Sequence, residues 1–273
     1  MAIPDFQLNS GHRIPALGLG TYKMAPGVTA DLVDRALRLG YRHIDTAAFY
    51  GNEAEVGQGL RRSGVAREDV FVTTKLWNDA HAHDAALRAF DQSLGQLGLD
   101  YVDLYLIHWP APDDGLMVEA WRALVEISQS GRARSIGVSN FRVEDLAAVI
   151  DATGVVPAVN QVELHPLHQQ PDLRAANAEL GIVTEAWSPL GRGGDLSDGT
   201  VRAVAHQVGK TPAQVVLRWL IQLGVAVFPK TVRPERLAEN LALDGFELAP
   251  EQMERLNAIR PAPPVGPEPA DVH

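Results

Sequence analysis

Apolar and polar positions succeed each other along the chain in two regularly repeated patterns. Short runs of β-branched and aliphatic residues, such as VFVTTK at 70–75 and VDLYLI at 102–107, indicate strands that are buried on both faces. A longer segment with helical spacing of apolar residues follows each run, such as HAHDAALRAFDQSLGQLG at 81–98. Eight such strand and helix units lie between residues 17 and 243. The chain is therefore predicted to be an α/β protein with a parallel sheet.

The number and length of the units indicate which α/β fold this is. Eight units in about 250 residues are typical of a closed (β/α)8 barrel, the TIM barrel, with an open doubly wound sheet as the alternative. The segment FQLNSGHRIP at 6–15 predicts an N-terminal β-hairpin that closes the bottom of the barrel. The five prolines of 261–273 predict a C-terminal loop rather than a regular element. We expect a single domain over 1–273.

Composition and charge exclude several classes of function. The net charge of -10 argues against a nucleic-acid partner, because phosphate backbones attract basic surfaces. No apolar run is long enough to span a membrane, and the N-terminus lacks the pattern of a secretory signal, so a cytoplasmic location is expected. With no cysteine, disulfides and thiolate chemistry are excluded. Nothing in the sequence requires an oligomer, and we expect a monomer.

Titratable residues of four kinds fall at neighbouring strand ends. Asp45, Lys75 and His108 end the second, third and fourth barrel strands, and Tyr50 lies in the loop after the second. Chemistry in such barrels collects at the carboxyl ends of the strands. An ammonium beside a phenol is expected to lower its pKa, and Asp45 would keep Lys75 charged and in position. With His108 orienting an oxygen, the set predicts proton transfer to a carbonyl.

A basic segment near the C-terminus predicts a phosphate site. Lys230, Arg233 and Arg236 accompany one acid, Glu235, between residues 229 and 236. Pro234 predicts a helix start there, where backbone N–H groups and the helix dipole attract anions. The Rossmann pattern GxGxxG fails at Lys23, so a dinucleotide would need this other cradle.

The chain resembles the aldo/keto reductases over essentially its whole length. The motifs are GHRIPALGLGTYK, YRHIDTAAFYGNE, VFVTTKLWND, DLYLIHWP, IGVSNF, VNQVELHP and FPKTVRPERLAEN. Within the family it is similar to the bacterial 2,5-diketo-D-gluconate reductase branch, partly through HWPAP and Trp187. The resemblance implies NADPH-dependent reduction of small carbonyl compounds. It also implies a catalytic tetrad of Asp45, Tyr50, Lys75 and His108, with Tyr50 as the general acid.

The resemblance also implies where the cofactor binds. Trp187 would stack on the nicotinamide, an inference from its position and ring shape. The 2'-phosphate of NADPH would be held at the basic helix start, and the pyrophosphate would lie over the loop after the seventh strand, where Gly191 permits close backbone approach. The full predicted cofactor set is Gly20, Thr21, Tyr22, Asp45, Ser139, Asn140, Gln161, Trp187, Ser188, Pro189, Leu190, Gly191, Lys230, Thr231, Val232, Arg233, Arg236, Glu239 and Asn240.

Aromatic residues that follow the first four strands predict the wall of a substrate pocket. Family members fold a tail such as 261–273 across this pocket as a specificity loop. The predicted pocket residues are Tyr22, Phe49, Trp77, His108 and Trp109.

Other functions of the same residues stay open at this point. Lys75 could form a Schiff base in a barrel aldolase. His43, Asp45 and His108 could bind a metal ion for hydrolysis, although the set is small, and we predict no metal site. A reductase-like barrel could also bind NADP without turnover, as an interaction or sensor protein.

Overall fold

The eight predicted strand and helix units form a closed parallel barrel. The structure is a computed structural model that describes residues 3–272, apart from the side chains of residues 113 and 270. The barrel strands are parallel and pair in chain order. They are β3 (Leu19–Gly20), β4 (His43–Asp45), β5 (Phe71–Leu76), β6 (Val102–Ile107), β7 (Ala133–Ser139), β8 (Val159–Glu163), β9 (Val183–Trp187) and β10 (Ala226–Val227).

Backbone hydrogen bonds between the first and last strand segments close the barrel. The N–H of Gly18 donates to the carbonyl of Val227 over 2.7 Å, and the N–H of Val227 donates to the carbonyl of Ala16 over 2.8 Å. Leu17 and Val227 form the parallel bridge at this seam. The predicted (β/α)8 barrel is confirmed, and the open doubly wound alternative is wrong, because an open sheet has no bonds between its first and last strands.

Ten helices surround or extend the barrel among the described residues. The predicted pair between the seventh and eighth strands is present as α7 and α8, whereas α10 had no counterpart in the sequence prediction. The helices are α1 (Pro26–Leu39), α2 (Glu53–Ser63), α3 (His83–Leu97), α4 (Met117–Gln129), α5 (Val143–Thr153), α6 (Pro171–Glu179), α7 (Gly199–Val208), α8 (Pro212–Gln222), α9 (Pro234–Leu241) and α10 (Pro250–Asn257). Within 3–272, no helix combines the length and the apolar character needed to cross a membrane.

The predicted N-terminal hairpin closes the end of the barrel that is remote from the carboxyl ends of the strands. Strands β1 (Asp5–Gln7) and β2 (Arg13–Pro15) pair antiparallel. Leu8 and Ile14 are buried with Phe71 and Val159, which begin β5 and β8. Burying one large apolar side chain stabilises the folded state by about 1.5–3 kcal/mol, and this burial holds the hairpin against the barrel interior.

Two barrel strands are shorter than the sequence predicted. The expected runs at 17–20 and 225–230 are reduced to Leu19–Gly20 and Ala226–Val227. Lys230 therefore lies three residues beyond β10, in the loop that leads to α9, rather than at a strand end. Lys230 and the two arginines of this segment, Arg233 and Arg236, are exposed.

Candidate active site

A buried ion pair at the carboxyl ends of β4 and β5 is the centre of the candidate site. Nζ of Lys75 lies 2.7 and 2.8 Å from the two carboxylate oxygens of Asp45. It also donates to the carbonyl of Thr46 over 2.9 Å and lies 3.4 Å from the hydroxyl of Tyr50. The side chains of Lys75 and Asp45 are 0% and 2% exposed, so water screens their attraction little.

Local backbone structure brings Tyr50 back over this ion pair. The residue ends a short 3₁₀ turn, Ala48–Tyr50, which follows β4 and stops at Gly51 with φ 64°. Asn52 fixes the loop: its buried amide donates to the carbonyls of Thr21 and Met24, and it accepts a bond from the hydroxyl of Thr46. Sequence reasoning missed this role, although Asn52 stands inside the YRHIDTAAFYGNE motif.

The predicted lowering of the Tyr50 pKa is wrong for this arrangement. Burial first, and then the electrostatic influence of the Asp45 carboxylate and of Tyr22, raise the pKa of Tyr50 well above its ordinary value of 10.0. Lys75 does not reverse this direction because Asp45 binds its ammonium with both oxygens and offsets its charge at Tyr50. The phenol therefore keeps its proton through the physiological range, which is the state that a general acid requires.

His108 is a neutral imidazole beside the phenol. Burial first, and then the positive charge of Lys75, hold the pKa of His108 well below its ordinary 6.5. Its ring lies edge-on to the rings of Tyr50 and Trp77, with centroid separations of 5.6 and 5.2 Å. Its Nδ1 is buried without a hydrogen-bond partner in the described part of the chain. A neutral ring of this kind can donate from one nitrogen and accept at the other.

These groups line a cavity of about 340 Å³ at the mouth of the barrel. Phe49 and Trp77 stack at 3.8 Å between centroids, and Trp109 meets Trp187 at 6.5 Å. All five predicted pocket residues line the cavity. Sequence reasoning missed four others: Arg192 follows the selected Gly191, Phe228 lies two residues before the selected Lys230, and Pro267 and Val272 needed the path of the tail. The lining is Gly20, Tyr22, Asp45, Phe49, Tyr50, Trp77, His108, Trp109, Ser139, Asn140, Gln161, Trp187, Ser188, Pro189, Arg192, Phe228, Lys230, Pro267 and Val272.

The C-terminal tail reaches this cavity, in the direction that the sequence predicted. Its backbone is tied to the barrel where the N–H of Ala262 donates to the carbonyl of Leu167 over 2.8 Å. Pro267 and Val272 then form part of the cavity wall. The tail therefore contributes two residues to the surface of the cavity.

Amide and hydroxyl groups on β7 and β8 form a connected polar wall. Ser139 donates from Oγ to the carbonyl of Gln161 over 2.8 Å, and Asn140 donates to Oγ of Ser139 and to the carbonyl of His108. Nε1 of Trp187 donates to Oδ1 of Asn140 over 2.7 Å. The indole plane of Trp187 is thereby fixed at the cavity edge.

Gln161 joins the ion pair to a second buried acid that sequence reasoning missed. Its Nε2 donates to Asp45 over 2.9 Å and to Glu185 over 3.0 Å. Both amide hydrogens are thus used, which leaves the side-chain carbonyl oxygen to accept from an incoming group. Burial first, and then the charge of Asp45, raise the pKa of Glu185 to about 8. Glu185 stands two residues before Trp187 within β9, where a single sequence gives no sign of its neighbours.

The loop after β9 differs in one respect from the prediction. Gly191 was expected to be glycine so that a pyrophosphate could approach its backbone. In the structure, a Cβ atom at this position would overlap the carboxylate of Asp195, and φ is 53°. The absence of a side chain at Gly191 is therefore required by the protein's own Asp195. Ser188 and Pro189 of the same loop still line the cavity, and Leu190 precedes Gly191 half-buried.

The other predicted cofactor residues lie around the first strand end and the start of α9. Thr21 is buried and donates to the carbonyl of Asp45 over 3.1 Å. Arg233 is the N-cap residue of α9, and its N–H donates to Oγ1 of Thr231, which is 6% exposed. Lys230 and Arg236 are exposed, and Asn240 is buried. Of the two predicted residues of this segment that remain, Val232 is exposed and Glu239 is half-buried.

The residues present fit a nicotinamide dinucleotide. The cavity has a fixed indole plane in Trp187, an available amide oxygen in Gln161 and two cationic side chains, Arg192 and Lys230, on its wall. In a chain of net charge -10, these cations and those of the α9 start form a local basic surface. Such a surface suits the phosphates of the dinucleotide.

Comparison with known proteins identifies the class. The pattern of the Aldo/keto reductase family matches residues 16–261. An aldo-keto reductase of Mycolicibacterium smegmatis is 51% identical over 266 residues, which cover 97% of both chains. Morphine 6-dehydrogenase of Pseudomonas putida is 48% identical, covering 98% of this chain and 95% of its own.

Solved structures agree with the sequence relatives. A Gox0644 variant in complex with NADPH superposes with a TM-score of 0.96 at 46% identity, with 100% of both chains covered. The Bombyx mori aldo-keto reductase in complex with NADP has a TM-score of 0.88 at 39% identity, covering 94% of this chain and 92% of its own. The chain belongs to the aldo/keto reductase family and is an oxidoreductase, as the sequence motifs predicted.

Proposed function

We propose that the protein reduces small aldehydes and ketones to alcohols, with NADPH as cofactor and Tyr50 as general acid. The observation that carries the proposal is the contact of the Tyr50 hydroxyl, 3.4 Å from Lys75, on the wall of a cavity that Trp187 also lines. The NADPH and NADP complexes of the structural relatives support the choice of cofactor.

The chain's own residues bind the carbonyl and supply its proton. His108 is neutral and lines the cavity, where it orients the carbonyl oxygen by a hydrogen bond. When bound, NADPH supplies the hydride that attacks the carbonyl carbon. Tyr50 transfers its proton to the oxygen as negative charge develops there, and the nearby ammonium of Lys75 stabilises the phenolate that is left. Asp45 holds Lys75 charged and in position throughout.

In this proposal, different groups of the predicted cofactor residues bind different portions of NADPH. Gln161, Asn140 and Ser139 would bind the nicotinamide carboxamide, and Trp187 would stack on its ring. Gly20, Thr21 and Tyr22 would contact the cofactor at the first strand end, and Ser188, Pro189, Leu190 and Gly191 would hold the pyrophosphate. Lys230, Thr231, Arg233 and Arg236 would bind the 2'-phosphate, and Val232, Glu239 and Asn240 would contact the adenine side.

The pocket suits small carbonyl compounds. A cavity of about 340 Å³ with aromatic walls and a polar floor fits small aldehydes, dicarbonyls and keto sugars such as 2,5-diketo-D-gluconate. The relative named morphine 6-dehydrogenase supports a search that also includes larger alcohols and ketones. We further propose a cytoplasmic monomer without a nucleic-acid partner, in keeping with the acidic composition.

The contacts of Lys75 argue against the aldolase alternative. A Schiff-base lysine must be neutral and reach the substrate, whereas Lys75 is fully buried and bound to Asp45 and Thr46. For the hydrolase alternative, the described part of the chain has no group of three His, Cys, Asp or Glu side chains arranged so that they could hold a metal ion. A protein that only binds NADP would not need the Tyr50, Lys75 and Asp45 contacts, so these favour catalysis.

A cofactor and substrate panel tests the proposed function. NADPH and NADH absorbance at 340 nm is followed with small aldehydes, dicarbonyls and 2,5-diketo-D-gluconate. We expect turnover with NADPH and weaker turnover with NADH. NADPH binding without turnover of any carbonyl would instead support the sensor function, and borohydride trapping of substrate on Lys75 would support the aldolase.

A further inference from the structure

Three buried titratable side chains outside the catalytic group form a second hydrogen-bonded chain. His165 contacts Asp195 from Nδ1 over 2.8 Å and Glu163 from Nε2 over 3.0 Å. All three side chains are 5% exposed or less. Glu163 ends β8, His165 lies in the turn that follows, and Asp195 begins a 3₁₀ turn after β9. We call Glu163, His165 and Asp195 the latch.

One end of the latch holds the C-terminal tail. The carboxylate of Glu163 accepts the backbone N–H of Val265 over 2.6 Å and that of Gly266 over 2.8 Å. Pro267, the next residue, lines the substrate cavity. Bonds from N–H groups to a carboxylate are about twice as strong as neutral ones, so this contact fixes where the tail meets the cavity.

The other end of the latch holds the loop after β9. The carboxylate of Asp195 fills the position that a side chain of Gly191 would occupy and also accepts the N–H of Leu167. Ser188 and Arg192 of this loop line the cavity on the side proposed for the cofactor. Asp195 therefore determines the path of the loop around Gly191.

We propose that Glu163, His165 and Asp195 are positioning residues that couple the substrate-side tail to the cofactor-side loop, so that both close over the cavity together. The labels substrate side and cofactor side rest on the proposed function. The coupling itself is argued only from the contacts of the latch. Removing any one member is expected to loosen both segments, not only the nearer one.

The charges of the latch give the coupling a pH dependence. Burial disfavours the imidazolium, but hydrogen bonds to Asp195 and Glu163 outweigh it and raise the pKa of His165 to about 9. The other titratable groups near His165 are His168, with ring centroids 5.9 Å apart, and Glu268 of the tail, whose charge acts on His168. The pKa of His165 in the folded state lies above its ordinary 6.5. The stabilisation of the folded state by the charged imidazole is therefore complete below pH 6.5 and is lost as pH rises through about 9.

Hydrogen exchange of the full-length protein tests the coupling without any need for activity. In Asp195→Asn, we expect faster exchange not only in 188–195 but also at the tail amides 262–272, and in Glu163→Gln the same two segments. His81→Gln is the matched control, because His81 is equally buried and its ring nitrogens contact no hydrogen-bond partner among the described residues. Tail exchange that is unchanged in Asp195→Asn, with loop exchange unchanged in Glu163→Gln, would overturn the proposal.

Kinetics separate positioning from general stability. We expect Glu163→Gln and His165→Gln to raise KM for both the carbonyl and NADPH about tenfold with little change in kcat, as loss of a charged hydrogen bond permits. We expect the KM of the wild type to rise near pH 9, as His165 loses its charge, and we expect no such rise in His165→Gln. KM values equal to those of His81→Gln would contradict the proposed positioning role of the latch. If no carbonyl is turned over, the proposed function fails, and the exchange experiment still decides the coupling.

Discussion

The hydroxyl of Tyr50 lies 3.4 Å from the ammonium of Lys75 on the wall of the barrel-mouth cavity. Burial retains the proton on the phenol, and in the proposed mechanism the ammonium of Lys75 stabilises the phenolate once that proton has left. Burial acts before the proton is transferred and does not depend on Lys75, whereas the proposed stabilisation of the phenolate acts afterwards and requires the short distance to Lys75.

Tyr50→Phe is expected to lower kcat by about 10²–10⁴, the usual contribution of general acid catalysis, with NADPH binding retained. Steady-state kinetics and fluorescence titration of NADPH provide the measurements. Tyr105→Phe is the matched control, because its buried hydroxyl has no partner among the described residues and its removal leaves the cavity intact. A Tyr50→Phe enzyme with wild-type kcat would remove Tyr50 from the mechanism.

Lys75→Met is expected to destabilise the fold by about 3–5 kcal/mol, because it leaves the Asp45 carboxylate buried without its partner. Urea unfolding followed by circular dichroism measures the change. The double variant Asp45→Asn with Lys75→Met removes both charges and is expected to recover much of the loss. If the double variant were no more stable than Lys75→Met, the uncompensated charge could not be the cause.

Glu185→Gln is expected to change how stability depends on pH. The pKa of Glu185 is raised from 4.5 to about 8, so the folded state holds a proton in this window that the unfolded state has released. Stability of the wild type therefore falls by about 1.4 kcal/mol per pH unit between these values from this group alone. Glutamine resembles the protonated acid and abolishes this fall.

Unfolding free energies of wild type and Glu185→Gln at pH 5 and pH 9 test this prediction. The free energy of unfolding of the variant is expected to increase relative to that of the wild type as pH rises. Activity at neutral pH is expected to change little. A difference between the two proteins that stays constant from pH 5 to pH 9 would show that Glu185 titrates normally.

Arg236→Ala is expected to raise KM for NADPH about 10- to 100-fold and to leave KM for NADH unchanged, because only NADPH carries the 2'-phosphate. Initial rates with each cofactor provide the comparison. Arg202→Ala, an exposed arginine of α7, serves as the control for loss of one positive charge. Equal losses with both cofactors would place Arg236 away from the phosphate.

Gly57→Ala is expected to destabilise the protein by about 1–3 kcal/mol, because a Cβ atom there would overlap the backbone carbonyl of Leu97 where α2 packs on α3. Gly95→Ala in α3 is the matched substitution: no atom lies within 4 Å of its Cβ position, so a gain of about 0.5–1 kcal/mol is expected. Thermal unfolding of both variants measures the contrast. Loss of stability in both would point to a cause other than the close approach.

The sequence by itself determined the barrel and indicated which titratable residues would lie together at its mouth. In a parallel barrel, strands that follow each other in the chain are neighbours, so residues at successive strand ends, such as Asp45 and Lys75, must meet at one face. The family motifs then added the cofactor and the reaction class. These predictions needed only the order of the elements.

Only the tertiary structure decided the electrostatics and the contacts between distant segments. The pKa of Tyr50 is raised by burial, by Asp45 and by Tyr22 together, so its direction could not be read from the presence of one ammonium in the sequence. Glu185 accepts a hydrogen bond from Gln161, and Glu163 accepts one from a tail amide about a hundred residues away in the chain. Charge interactions fall with distance in space, and a single sequence contains only distance along the chain.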